Sequence, residues 1–265
     1  MLVGAALSIA GASYQGVFRN AMAAPDFLGA SSGAAFGAAL AILLGLSSYL
    51  VTAVAFCFSL LTVALVFLAA RRAPGKRAAN LILAGIMISS LFSSGTSYLK
   101  LVADPSSKLP EITYWLMGSL SGKTWGDVRF ALPFLLLGTV SLLLLRWRIN
   151  LLTMGDDEAR AMGVDADKLR LVIVLCATLV TAASVAVSGV IGWVGLVVPH
   201  MARRIAGNDY RRLLPTTLLL GALFLLAADD LCRCLLATEI PIGILTSFLG
   251  APFFLALMLR KEASL

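Results

Sequence analysis

The sequence predicts an all-α protein that crosses a membrane many times. Three observations carry that prediction. The 265 residues are 60% hydrophobic and only 13% charged, whereas a soluble domain of this size carries roughly 25% charged residues. Apolar runs of about 17–22 residues recur, the length a helix needs to cross a hydrocarbon core of roughly 30 Å. The alternating ten-residue strands of an outer-membrane barrel are absent. We read about nine transmembrane segments, at 1–18, 28–46, 50–70, 80–102, 129–146, 169–188, 195–206, 211–236 and 243–260. No linker rich in Pro, Gly or Ser interrupts them, so residues 1–265 read as one membrane domain.

Taken in order, the first two segments are rich in small residues. Gly29, Gly33 and Gly37 repeat every four positions and form one flat face. Such faces let helix backbones approach closely in lipid, and the expected use is tight packing within one subunit. Segment 80–102 differs from the others. Ser89, Ser90, Ser93, Ser94, Thr96 and Ser97 fall within roughly 160° of the helix circumference. A hydroxyl face on a spanning helix signals either helix–helix hydrogen bonds or a water-lined path. Residues 103–127 carry Asp104, Pro105, Lys108, Pro110, Glu111, Trp115 and Trp125. Trp is at home at the membrane interface, and ITYWLMGSL is expected to form a short helix at the outer surface.

Between 129–146 and 169–188 the pattern breaks. Arg146, Arg148, Asp156, Asp157, Glu158, Arg160, Asp165, Asp167, Lys168 and Arg170 crowd one stretch of an otherwise apolar chain. Within 150–168, Gly155 interrupts the chain. Asp156, Asp157 and Glu158 follow, where acids favour a helix N-terminus. Gly163 can end the helix. The result is a short helix exposed to water, read either as a solvated loop or as a docking element for a soluble partner.

Segment 195–206 is too short to span alone and is expected to be half-buried or broken. In 211–236, Asp229 and Asp230 are costly in lipid, and they are the only intramembrane acids expected. Asp229 and Arg233 lie four apart and can pair. Alternatively, Arg233 snorkels outward and docks a partner's carboxylate.

Basic residues set the orientation. Arg19, Arg71, Arg72, Lys76, Arg77, Arg146, Arg148, Arg160, Lys168, Arg170, Arg203, Arg204, Arg211, Arg212, Arg260 and Lys261 share one set of alternate loops. Lys100, Lys108, Lys123, Arg129 and Arg233 share the other. The first set is expected in the cytoplasm, and with it 150–168 and the C-terminus. Nine crossings then put Met1 outside, as though a helix precedes it. No charged n-region precedes GAALSIAGAS, so no cleavable signal peptide is expected. The basic residues form no stripe or aromatic-interleaved patch, which argues against nucleic acid.

Candidate chemistry is sparse. His200 is the sole histidine and reads as structural. Cys57, Cys176, Cys232 and Cys234 lack ligand spacing for zinc or an iron–sulfur cluster and read as apolar filler. No HExxH, GxSxG or P-loop occurs. No catalytic residue, metal site or cofactor is expected, and any ATP must be bound by another chain.

Five stretches carry a family resemblance. They are GAALSIAGASYQGVFRNAMAAPDFLGASSGAAFG, ITYWLMGSLSG, LLTMGDDEARAMGVD, SGVIGWVGLVVPHMARRIAGNDYRRLLP and EIPIGILTSFLGAPFFLALMLRK. In this order and spacing the chain resembles, over essentially its whole length, the FecCD family. These are permease subunits of type II binding-protein-dependent ABC importers for iron–siderophores, haem and cobalamin. The resemblance implies a ten-helix fold with short cytoplasmic coupling helices, a homodimer or close heterodimer of permeases, and a path along the two-fold axis. It implies ATP-binding cassette subunits docked on Gly155, Asp156, Ala159, Arg160 and Gly163. It implies that Ser89, Ser90, Ser93, Ser94 and Ser97 line the path. It also implies that Arg233 meets a periplasmic or lipid-anchored binding protein. It implies a bacterial or archaeal cytoplasmic membrane as the setting. The chain departs from the pattern in two places. The family's first helix has no counterpart, as a late start codon, a truncation or a partial gene would produce. The family's Asn-Pro-Leu-Ala reads Asn20–Ala21–Met22–Ala23.

The expected function is therefore inward transport of a metal chelate, with iron–siderophore first and cobalamin, haem or molybdate as alternatives. An ion-coupled secondary transporter would want acids at a midplane site. A membrane-embedded enzyme would want clustered His, Asp or Glu near one interface.

Overall fold

The computed structural model describes residues 1–74, 77–235 and 238–259, and the regular structure in them is helical. Lys76, Arg260, Lys261 and residue 236, used in the readings above, lie outside the described residues. The helices are α1 (Leu2–Phe18), α2 (Ala30–Leu43), α3 (Ser48–Arg72), α4 (Arg77–Val102), α5 (Lys108–Leu116), α6 (Trp125–Met154), α7 (Asp156–Ala161), α8 (Ala166–Ser188), α9 (Val194–Ala206), α10 (Tyr210–Cys234) and α11 (Ile242–Leu259). A 3-10 turn, Pro25–Leu28, precedes α2. Each predicted apolar segment is a helix, and the two short helices predicted outside the membrane are α5 and α7. Helices α3, α4, α6, α8 and α10 are long and apolar enough to cross a membrane, while α1, α2 and residues 242–256 of α11 are apolar but shorter. At 13 residues α9 is too short to span, as expected.

Helix α1 is the hub. It packs against α6, α8, α9 and α10, and its residues from Ala6 to Val17 are all buried. A helix enclosed on every side needs small side chains more than an apolar stripe. Gly4 lies against the Gly221 backbone of α10, and Gly11 lies against Gly195 of α9. Several buried hydroxyls are satisfied locally: Ser13 donates to Ile9 O at 2.8 Å, and Thr181 and Ser184 donate one turn back at 2.9 and 2.8 Å. Another pair joins two helices, where the Tyr14 and Thr178 hydroxyls meet at 2.8 Å.

Gly33 and Gly37 serve the same purpose within the subunit, against Thr62 and Phe58 of α3. Gly29 is instead the left-handed cap of α2, with φ 75. Phe36, Phe58 and Phe92 then lock α2, α3 and α4 together, with ring centroids 5.3–6.3 Å apart. The reversal after α1 holds without the family's proline. Asn20 Oδ1 accepts the Met22 N–H at 2.8 Å, and Asn20 O accepts the Ala23 N–H at 3.0 Å. This is an Asx turn, the usual way Asn closes a bend.

Helix α6 is longer than predicted at both ends. The Thr124 N–H donates to the Asp127 carboxylate at 2.8 Å and starts it early. At its far end the charged stretch from Arg146 stays helical until Gly155, whose φ is 145. The bundle thus has two distinct ends. The ends of α1, α6 and α9, the start of α10, and α7 lie at one, which carries Arg19, Arg148, Arg203 and Arg211. The start of α3, α5 and the ends of α2 and α8 lie at the other, around a cleft lined by Ile42, Val51, Trp115 and Gly189.

Candidate functional site

Helix α7 is anchored, not free. Arg170 on α8 is only 5% exposed and donates to Asp156 at 2.7 Å and to Asp167 at 3.3 Å. Asp167 also faces Arg160 at 3.9 Å, and Arg160 bonds Asp157 at 3.4 Å. The Ala159 side chain is fully buried, and its carbonyl accepts the Val164 N–H at 3.0 Å. Gly155 and Gly163 bound the helix with φ of 145 and 78, values that Gly adopts without steric cost. Asp165 then caps α8 by accepting the Lys168 N–H at 3.1 Å, which holds its carboxyl below the usual range.

The five residues expected at the coupling surface therefore separate. Arg160 and Gly163 are exposed, and Asp157, Glu158, Ala161 and Met162 share their surface. Gly155 and Ala159 are buried, and Asp156 is half-buried against Arg170. Gly155 and Ala159, sealed against their own subunit, are placed to support this surface, while Asp156 keeps an exposed edge beside its bond to Arg170.

One turn before Gly155 lies a polar junction that sequence reasoning missed. The Asn150 amide donates to Asp209 at 2.6 Å, and its carbonyl oxygen accepts the Tyr210 N–H at 2.9 Å. The Tyr210 hydroxyl accepts from Arg203 at 2.9 Å, and Arg203 also reaches Gln15 at 3.1 Å. Helices α1, α6, α9 and α10 are thereby tied at the basic end. The Arg211 N–H and the Asn150 amide hold the Asp209 carboxyl below its ordinary range. Only the capping role of Asp209 was readable, from its position before a predicted helix. The reach of Asn150 and Gln15 depends on tertiary packing.

The hydroxyl face of α4 is divided. Ser90, Ser93, Ser94 and Ser97 are exposed on the subunit surface, with Ile86, Met87 and Leu101 around them. Ser89 and Thr96 turn inward. Thr96 is bonded to Phe92 O at 2.9 Å, and Ser89 Oγ is buried against Gly29 without a hydrogen bond among the described residues. Only 17% of the apolar window of α4 is buried, against 72% for α8, so α4 offers most of its surface to whatever lies outside the subunit.

Arg233 is engaged. It grips Asp229 through two nitrogens at 3.0 and 3.3 Å and reaches Glu239 at 3.3 Å, while remaining 41% exposed. His200 stacks edge-on with Phe253 at 6.3 Å. Among the described residues no group of three or more His, Cys, Asp or Glu is placed to hold a metal ion.

Two non-helical segments cross inside the bundle. One is 189–193, between α8 and α9, where Trp193 takes φ 70. The other holds the 3-10 turn. They meet where Gly195 packs on both Pro25 and the Leu7 carbonyl, beside the middle of α1. Asp26 lies there, its carboxylate bonded by the Ser31 hydroxyl. The expectation that Asp229 and Asp230 are the only intramembrane acids is thus corrected. Asp26 falls in a short polar-looking loop in the sequence, and only the fold carries that loop back to mid-depth. An open cavity of about 700 Å³ borders the same 190–192 stretch, lined also by Met117, Gly243, Ser247 and Phe248.

These features match known proteins along the whole chain. The model of the FecCD transport family matches residues 1–260. The chain is 42% identical over 263 residues to the molybdate import system permease protein MolB of Haemophilus influenzae, covering 99% of this chain and 78% of that protein. It is 43% identical to the cobalamin import system permease protein BtuC of Halobacterium salinarum, covering 98% and 70%. A solved chain from an inward-facing metal-chelate type ABC transporter superposes with a TM-score of 0.93 at 41% identity, covering 98% of this chain and 83% of that one. The chain belongs to the FecCD transport family and is a multi-pass membrane permease of the ABC transporter type.

Proposed function

We propose that the protein is the translocating subunit of a binding-protein-dependent importer in a bacterial or archaeal cytoplasmic membrane. Two permease subunits, most simply identical, enclose the path, and the chain performs no covalent chemistry. ATP-binding cassette subunits dock at the basic end on the face formed by Asp157, Glu158, Arg160, Met162 and Gly163. A periplasmic or lipid-anchored binding protein docks at the opposite end, where Arg233 exchanges Asp229 or Glu239 for a carboxylate of the partner. Ser90, Ser93, Ser94 and Ser97 face the path, and Ser89 stands behind them. The cargo is a metal chelate, with iron–siderophore as the first candidate and cobalamin, haem or molybdate as the others.

The observation that carries this reading is the bracing of α7. A short helix fixed by a buried arginine moves with α8 as one body. That is what rigid-body transmission of ATPase motion requires. The test is co-purification with the ATPase subunit from native membranes, followed by Arg160→Glu. The variant is expected to insert normally and to lose most of its substrate-stimulated ATP hydrolysis. Undiminished stimulation would remove the docking role from this face.

A further inference from the structure

Among the described residues, Asp26 is the one acid found beside the middle of α1, in a position that no coupling or docking role explains. It lines a partly open cavity of about 170 Å³ together with Leu7, Ser31, Gly192, Trp193 and Leu196. Asp26 is an exposed residue, and it opens into this cavity. Ser31 engages Oδ1, and Oδ2 has no hydrogen bond among the described residues. Both walls are unusual backbone: the 3-10 turn on one side and, on the other, Trp193 in a conformation costly for a side chain that size. Irregular backbone at membrane depth is tolerated where it lines a cavity, and ionisable groups there mark pathways. Gly192 belongs to this cavity and also to the large open one, so the two adjoin along 190–192.

We propose that Asp26 is a charge filter in the path: it favours cargo presenting positive charge or hydrogen-bond donors and opposes oxyanions. The proposal rests on the importer reading above and narrows its substrate class. A fixed carboxylate in a confined, partly desolvated cavity repels an approaching anion and attracts a cation more strongly than it would in open water. Without a second acid or a histidine, the cavity suits a donor group of a larger cargo better than a bare multivalent metal ion.

The test has two arms. In the first, purified permease is treated with a hydrophobic carbodiimide and its modification at Asp26 is read by mass spectrometry. A ferric trishydroxamate carrying a free amine is expected to protect Asp26, and molybdate is not. Equal protection by both, or by neither, would overturn the filter. In the second arm, uptake of the same two probes is compared in cells carrying the intact system. Asp26→Asn keeps the size and a partner for Ser31, and it is expected to raise the molybdate-to-chelate uptake ratio about tenfold or more. Asp26→Glu keeps the charge and is expected to retain the native ratio. A native ratio in Asp26→Asn would reduce Asp26 to a brace for the start of α2. If no variant drives uptake of any chelate, cobalamin, haem or molybdate, the importer reading fails instead, and the protection arm still reads the chemistry of Asp26.

Discussion

Arg170 shows how a charge that looks exposed in sequence can become structural. It stands in a cluster of ten charged residues, where solvation is the natural expectation, yet it is 5% exposed and bonded to two carboxylates. Burial of a charge depends on what the rest of the chain packs over it, which no local pattern encodes. Removing one partner of a buried pair costs about 3–5 kcal/mol; Asp156 is 36% exposed, so solvent screens it and the cost falls to about 2 kcal/mol. Arg170→Met is therefore expected to leave α7 attached but loose. It should lower transport per ATP hydrolysed several-fold, more than Asp156→Asn, as measured in proteoliposomes. Arg233 presents the opposite case, because the i, i+4 spacing to Asp229 made the pair legible. Arg233→Glu is expected to weaken binding-protein affinity about tenfold, whereas Glu239→Gln frees one guanidinium nitrogen and weakens it little. Equal affinities in a surface-binding assay would confine Arg233 to holding the end of α10. Asp209 gives a pH expectation. Its folded value is depressed, so its stabilisation is complete above the ordinary carboxylate value of about 3.9 and is lost only as pH falls through the lower folded value. The junction at Asn150 should thus contribute no pH dependence to ATPase coupling between about pH 5 and 8, and a pH profile matching that of Asp209→Asn in this window would bear this out.

At the scale of elements, the long apolar runs located every long helix, because lipid demands length and hydrophobicity and both are written locally. Boundaries drifted where caps outside the apolar run decided them, as at Thr124 and Asp165. The 3-10 turn and the 189–193 break fall at or between the ends of the predicted segments, where run length gives no conformation, and they are the elements that build the deepest polar site. What the glycines do is also a matter of pairing. A Cβ on Gly11 would stand 2.6 Å from the Gly195 carbonyl carbon and 2.7 Å from its Cα. Backbone cannot step aside as a flexible side chain can, so α1 and α9 would have to separate. Overpacking of this kind costs about 1–3 kcal/mol. Gly11→Ala is expected to lower the Tm in detergent by several degrees. Gly192→Ala meets nothing within 4 Å and should leave it unchanged. Equal shifts in the two variants would mean that the α1–α9 contact is looser than the geometry shows.

For the whole molecule, the exposed apolar surface must be shared between lipid, a second subunit and an aqueous path, and a lone chain does not label which is which. Hydroxyls do. Ser93 and Ser97 sit on the exposed side of α4, and Leu144 of α6 is 78% exposed with purely apolar neighbours such as Leu137 and Val140. A hydroxyl facing lipid gains nothing that a methyl would not. A row of them is explained if that face meets water or polar cargo, and it was this row, already visible in the sequence, that marked α4 as different. The distinction can be read by thiol chemistry, since only a thiolate reacts and thiolates do not form in hydrocarbon. Cys57 and Cys234 are exposed, so all four native cysteines are first replaced with alanine or serine. In that background, Ser93→Cys and Ser97→Cys are expected to react with a charged, membrane-impermeant methanethiosulfonate at least about tenfold faster than Leu144→Cys. Their rates are expected to change when ATP and the binding protein are supplied, because alternating access opens and closes the same face. Uniformly slow labelling at all three positions, in every nucleotide state, would place α4 against lipid and move the path toward the cavities beside 190–192.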